Sequence, residues 1–416
     1  MQKYKYSYTI HQKMPILRFL FAFTLIILLA SCSNSFQHMQ SSQSDATHSQ
    51  TIEANTNGIL NEQALRVRTD HIRQLIQGMT LEQKLGQLIM VEYFGNQHGY
   101  TYQTTELPMM ISQGAVGGIL YQAANYNFTA PNNTVSGFKN FITQTQKDAK
   151  IPLLQAVDQE GGLVTKLSTF FGPAPSALEM AQSQNIASVQ AQGKQSSGWL
   201  KQLGLNVNLA PVADVGPPSN LLQTRMFGSD PQTVTTYAGA FLTGLQQNGT
   251  IGCVKHFSGL GSLPQGQDPH AVLPVVNRSL ADVQRIDLAP YKQLIATNHP
   301  AMIMTTNVIT KAIDPILPAE FSPKAINILR KDFGYNGVII TDGLYMVKNY
   351  WSLSQAAVMA ISAGNDIIEG PYTTSQVTTV IAALKAAITQ GTISQANIDQ
   401  SLQRILLMKT QYGILS

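Results

Sequence analysis

The sequence predicts an α/β chain that folds as a (β/α)8 TIM barrel in a single domain. Short, nearly unbroken apolar runs recur eight times, with helix-length segments between them. That alternation is the mark of a parallel sheet covered on both faces. Polar or ionisable residues stand at the ends of most of these runs, where a barrel would gather them at one mouth. The runner-up, a doubly wound open sheet, is disfavoured in its nucleotide-binding versions. No G-x-G-x-x-G follows the first run and there is no Walker loop.

The chain begins with a positive stretch carrying Lys3, Lys5, Lys13 and Arg18, followed by an apolar run from Phe19 to Ala30 broken by Thr24. The run is too short to span a bilayer and has the length of a signal-peptide core. It ends in Leu29-Ala30-Ser31-Cys32, which resembles the bacterial lipoprotein processing box, with small residues before the cut and a thiol to carry the lipid. Residues 1–31 are therefore read as a lipoprotein signal peptide and Cys32 as the lipidation site. An ordinary secretory peptide with an incidental cysteine is the alternative. Residues 32–62, rich in Ser, Gln, Asn and Thr, are read as a flexible polar tether, and 63–416 as the barrel domain. The chain is thus expected to be exported and anchored to a cell-envelope membrane.

Of the 416 residues, 44% are hydrophobic, enough for one large core or two medium ones, and 12% are charged. The formal net charge of +4 lies partly in the leader, and no basic stripe suggests a nucleic-acid partner. There are two cysteines; with Cys32 committed to lipid, no internal disulfide is expected, and Cys253 reads as a small buried hydrophobe. No Cys/His cluster at zinc spacing and no EF-hand loop occurs, so no metal and no cofactor are expected.

In the domain, Ile72, Leu75, Ile76 and Met79 repeat at helical spacing, and Thr80 with Gln83 forms a capping-box pattern that restarts a short helix. The eight candidate strands are Leu88–Tyr93, Val116–Tyr121, Pro152–Asp158, Leu205–Ala210, Ile251–His256, Ala301–Thr305, Gly337–Asp342 and Asp366–Glu369. The polar strand-end residues are Asp158, Asp214, Lys255 with His256, Asn307, Asp342 and Glu369.

Several of these have chemistry of their own. Asp342 ends a buried strand, where a carboxylate can attack a sugar's anomeric carbon, although Asp-Gly is also ordinary turn chemistry. Asp268 and His270 lie two residues apart in a Gly/Pro/Gln-rich loop. The carboxylate can hydrogen-bond the imidazole, setting its tautomer and raising its pKa toward an acid/base value. In Asp158-Gln-Glu-Gly161-Gly162 the paired glycines would let backbone approach a ligand closely, and Asp158 can accept bonds from hydroxyls. Lys166 follows, and Arg225 lies in a long loop after the fourth strand, where a guanidinium could fork onto a ligand oxygen. Each is equally compatible with a structural ion pair.

Together these segments resemble glycoside hydrolase family 3, especially its bacterial β-N-acetylhexosaminidases. The motifs run from Met79-Thr-Leu-Glu-Gln-Lys-Leu-Gly-Gln-Leu88 through the Asp158 block, Asn208-Leu-Ala-Pro-Val-Ala-Asp214, Lys255-His256-Phe, Asp268-x-His270 and Thr341-Asp342 to Arg404-Ile. The resemblance implies that Asp342 is the nucleophile and His270 the general acid/base, oriented by Asp268. It places Asp158, Lys166, Arg225, Lys255 and His256 on sugar-holding positions. It implies retention through a covalent intermediate, without a metal, on a terminal β-linked N-acetylglucosamine drawn from peptidoglycan fragments. The expected partners are a carbohydrate substrate and, through the lipid, a membrane; a monomer is expected. The chain departs from the family pattern at Ser258 and Leu260 (usually Pro and His), Leu163 and Lys166 (usually Arg), Gly343 (commonly Asp) and Asn307 (commonly His). The alternatives are a β-glucosidase, a glycoside phosphorylase, or a sugar-binding lipoprotein without turnover.

Overall fold

The computed structural model describes residues 66–93, 106–122 and 132–415. The signal peptide, Cys32 and the tether lie outside the described residues. Eight parallel strands close into a barrel: β1 (Ile89–Tyr93), β2 (Gly118–Tyr121), β3 (Leu154–Val157), β4 (Val207–Asn208), β5 (Ile251–Phe257), β6 (Met302–Thr305), β7 (Val338–Gly343) and β8 (Ile367–Glu369). Neighbours in the barrel follow chain order, and β8 closes on β1 with Met90 beside Glu369. All eight predicted strands are present, so the expected (β/α)8 architecture is the observed one.

The strands form where the runs are apolar because both faces are covered. Ile89, Met90, Val91, Val207, Ile251, Val254, Ile303, Val338, Ile339 and Ile340 are fully buried. Helices fill the intervals. The one at Leu81–Gly86 starts with the capping box read from the sequence: the Thr80 side chain accepts from Gln83 N–H while the Gln83 side chain accepts from Thr80 N–H. Ser176 with Glu179 and Ser352 with Gln355 repeat the device. The long helix Ile186–Leu203 packs on Pro231–Gln247 so closely that a Cβ on Gly193 would lie 2.1 Å from the Phe241 carbonyl oxygen.

The end of the barrel where the strands begin is tied by charge. Asp366, at the start of β8, is fully buried and accepts from Arg330 (2.6 Å), Arg404 (2.7 and 2.9 Å), Ser401 and the Ile339 N–H. Arg404 thereby fixes the last helix, Gln395–Gln411, to the sheet. Lys409 from the same helix is buried beneath the barrel and donates to the Gln87 side chain (2.9 Å) and the Gly117 carbonyl (3.2 Å). Burial without a counter-charge pulls its pKa down to about 7. Cys253 is a free, buried thiol on β5, as read from the sequence.

Candidate active site

The opposite end carries a cavity of about 270 Å³. Its lining includes every residue singled out above for catalysis or sugar binding: Asp158, Lys166, Arg225, Lys255, His256, Asp268, His270 and Asp342. They arrive from β3, β5, β7 and the loops that follow them, and Arg225 from the long loop after β4, as the strand-end pattern foretold.

One wall is a buried ionic network. Directly after β3 the chain turns into a two-stranded hairpin, Gln159–Gly161 with Val164–Thr165. Its base is bolted to β4, because the Asn208 side-chain amide pairs with both the N–H and the C=O of Gln159 at 3.0 Å. That directs Glu160 inward. Glu160 receives a two-bond fork from Arg225 (2.8 and 2.9 Å) and the Lys255 ammonium at 2.7 Å, and Lys255 also reaches Asp158 at 2.6 Å. Two carboxylates thus face two cations. Burial opposes charge on Glu160, but Arg225 and Lys255 outweigh it and hold its carboxyl down to about 2. Burial likewise opposes the charge on Lys255, yet Asp158 and Glu160 raise its pKa well above the ordinary lysine value.

The paired glycines have a different reason from the one expected. Gly161 has φ +100° and a Cβ there would sit 2.0 Å from the Pro175 carbonyl oxygen; Gly162 has φ +57° and would meet Ser176. They serve close packing against the loop before Ala177, and neither lines the cavity.

His256 is oriented from below. Its Nδ1 lies 2.7 Å from Asp214 Oδ2, and its Nε2 faces Arg225 at 3.4 Å. Arginine can only donate, so Nε2 accepts and Nδ1–H donates to Asp214. Asp214 is fully buried and also accepts from the N–H groups of His256 and Leu260. It and buried Asn307 therefore stand behind the cavity wall rather than on it.

The other wall holds Asp342, half-buried near the end of β7, its Oδ1 accepting from Gly343 N–H at 2.9 Å. The Gly343 departure has a packing reason: a Cβ at this position would lie 2.4 Å from the Tyr345 ring. Ser258 is buried and bonds the Thr310 hydroxyl at 2.9 Å, and Leu260 joins a small apolar cluster with Leu222 and Met226. Over the cavity, His270 Nδ1 lies 2.8 Å from Asp268 Oδ1, both side chains more than half exposed. Against a modest burial penalty, bonds from the His270 N–H and ring lower the Asp268 pKa.

Three cavity residues were not assigned roles from the sequence, Glu160, Tyr345 and Glu369, and neither was Glu92, which is fully buried outside the lining. Glu92 and Glu369 are both buried with their carboxyls adjoining between β1 and β8, and Glu92 Oε1 meets no donor among the described residues. An acid inside the apolar run Ile89–Tyr93 was the available signal for the first of them. Burial, reinforced by Asp158 and Asp342, raises Glu92 to about 7 and Glu369 well above the usual carboxyl value.

Comparison with known proteins agrees with this arrangement. The glycosyl hydrolase family 3 N-terminal domain matches residues 80–408. Beta-hexosaminidase LpqI of Mycobacterium tuberculosis (strain ATCC 25618 / H37Rv) is 33% identical over 270 residues, 62% of this chain and 68% of that protein. The family 3 β-N-acetylglucosaminidase of Paenibacillus sp. str. FPU-7 superposes with a TM-score of 0.74 at 30% identity, over 81% of this chain and 63% of that one. A family 3 glycosyl hydrolase of Mycobacterium smegmatis str. MC2 155 gives 0.70 at 28%, over 80% of this chain and 97% of that one. With the barrel, the cavity and the match over nearly the whole described domain in agreement, the chain belongs to glycosyl hydrolase family 3 and is a glycoside hydrolase.

Proposed function

We propose that the protein is a retaining β-N-acetylglucosaminidase acting on terminal β-linked N-acetylglucosamine, with cell-wall fragments as its source. The observation that carries the reading is the meeting, in one cavity, of a strand-borne carboxylate, Asp342, and an Asp268-oriented imidazole, His270. Asp342 attacks the anomeric carbon while His270 protonates the departing glycosidic oxygen, so the aglycone leaves as an alcohol. His270, now the base, takes a proton from water, which attacks the same carbon and frees Asp342. Asp158, Lys255, Arg225, His256 and Lys166 hold the sugar's hydroxyls. The activities named for LpqI and the Paenibacillus enzyme favour the acetamido sugar.

The test is hydrolysis of a chromogenic β-N-acetylglucosaminide by protein lacking residues 1–32, beside the glucoside, with and without phosphate. Cleavage of the acetamido sugar, independent of phosphate and lost in Asp342→Ala, is expected. Unchanged activity in Asp342→Ala would sink the mechanism, and preference for the glucoside would move the substrate. Export and anchoring rest on the Leu29–Cys32 box; lipid labelling should be lost in Cys32→Ser.

A further inference from the structure

Glu369 is the last residue of β8 and lines the cavity, yet it is almost wholly buried. Its backbone is fixed in two ways. Its N–H donates to the Thr341 hydroxyl at 3.0 Å, and its Cα is in register with Gly343, the neighbour of Asp342. Its carboxyl meets that of Glu92. Glu92 is held in turn by Gln122, whose amide donates to Oε2 at 3.0 Å, and by the closure of β1 on β8. Glu92 Oε1 is buried with no donor in reach among the described residues, and two adjoining carboxylates have no donor between them, so the pair holds at least one proton, committed to that contact. The charged or titratable groups that reach the pair are Asp342 on β7, Asp158 after β3 and the Tyr345 phenol after β7. Both carboxylates disfavour a second negative charge there. The same wall of one cavity therefore holds an anion at Asp342 and a proton-bearing carboxyl beside it.

We propose that Glu369, braced by Glu92, is a sugar-contacting specificity residue that donates a hydrogen bond to a ligand oxygen next to Asp342. This rests on the sugar-binding reading of the cavity. The accepting oxygen is a hydroxyl or the acetamido carbonyl of the sugar. While both carboxyls are neutral, Glu92 donates to Glu369 and the Glu369 proton is free for the ligand, so Glu369 adds a donor without adding a second negative charge beside the reacting carboxylate. Burial, which raises Glu92 to about 7 and Glu369 well above the usual carboxyl value, extends that state toward neutral pH.

The experiment is calorimetric binding of N-acetylglucosamine and of glucose to the wild type, Glu369→Gln and Glu369→Leu, from acid to alkaline pH. The glutamine amide donates at every pH, whereas the wild-type pair loses its donor as pH rises. The ratio of the two affinities should be near one in acid and should favour Glu369→Gln by about tenfold in alkali, the size of one hydrogen bond. Every other group of the cavity is common to both proteins and cancels in the ratio. Glu369→Leu should bind about tenfold more weakly than the wild type in acid. An effect seen with both sugars identifies a hydroxyl as acceptor, and one confined to N-acetylglucosamine identifies the acetamido carbonyl; either supports the proposal. A ratio flat across pH, with wild-type binding intact, overturns it and leaves the hydrolase reading standing. Binding without cleavage by the wild type overturns turnover and leaves this inference standing. No binding of either sugar by the wild type overturns both.

Discussion

Replacing Glu160 with glutamine should cost about 3 kcal/mol of stability, and the loss should vanish in acid. The carboxyl is held at about 2 against a reference of 4.5, a gap worth roughly 3 kcal/mol at about 1.4 kcal/mol per unit. Breaking a buried pair from one side costs a similar amount, about 3–5 kcal/mol. Geometry gives the reason. Glutamine keeps the volume but presents an N–H2 where Arg225 and Lys255 already donate, at 2.8 and 2.7 Å to the present carboxylate. Lys255 retains Asp158, while Arg225 keeps the long contact to His256. Unfolding entropy of about 2.1 cal/mol/K per residue gives a domain of this size about 0.7 kcal/mol/K, so the loss should appear as a melting shift of about 4 °C. The sign with pH follows from the lowered carboxyl value. Its contribution is fully present above the unfolded value of 4.5 and is lost as pH falls through about 2. Thermal scans of both proteins should show a constant gap from neutral pH down to about 5 and a closing gap below it. A gap under ~1 °C at neutral pH, or one that persists in strong acid, would refute the assignment of the network's stability to Glu160.

Lys409→Met should abolish a rise in melting temperature between pH 7 and 10.5, because the folded state has already released a proton that the unfolded chain still binds across that window; matched pH series of the two proteins check it. Gly343→Ala should drive a methyl into the Tyr345 ring, destabilising the domain by roughly 1–3 kcal/mol and lowering kcat/KM, and Tyr345→Ala in the same chain should restore the melting temperature but not the rate. His270→Ala should slow cleavage most for glycosides with poor leaving groups while leaving the melting temperature within about a degree, since the ring is largely exposed, bonded to Asp268 and only loosely against Tyr345, with ring centroids 6.2 Å apart.

The strands were legible because parallel sheets need apolar residues on both faces, and runs such as Ile251–Val254 and Val338–Ile340 announce that directly. The helix start at Thr80 was legible because a capping box is local. The gathering of Asp158, Lys255 and Asp342 followed once a barrel was assumed, since strand ends share one mouth. Gly161 and Gly162 were misread because sequence shows that a glycine is needed without showing what approaches it, here Pro175 and Ser176 instead of a ligand. Glu160 was overlooked because its partners come from a loop turn and from β5, a coincidence of the tertiary fold. The Glu92–Glu369 pair depends on which strands close the barrel and in what register, and no local pattern encodes that.

The carboxylate that orients the imidazole sits two residues from it on one exposed loop, while Asp342 belongs to a strand of the sheet. Whatever the loop does, Asp268 travels with His270. Under the proposed mechanism, excursions of residues 264–272 would therefore alter how far the acid stands from the sugar without altering which ring nitrogen carries the proton. Proton handling so proposed is a portable unit: grafted onto the rim of another barrel, that loop would bring its own tautomer control, and the host would need to supply only the carboxylate and the reach.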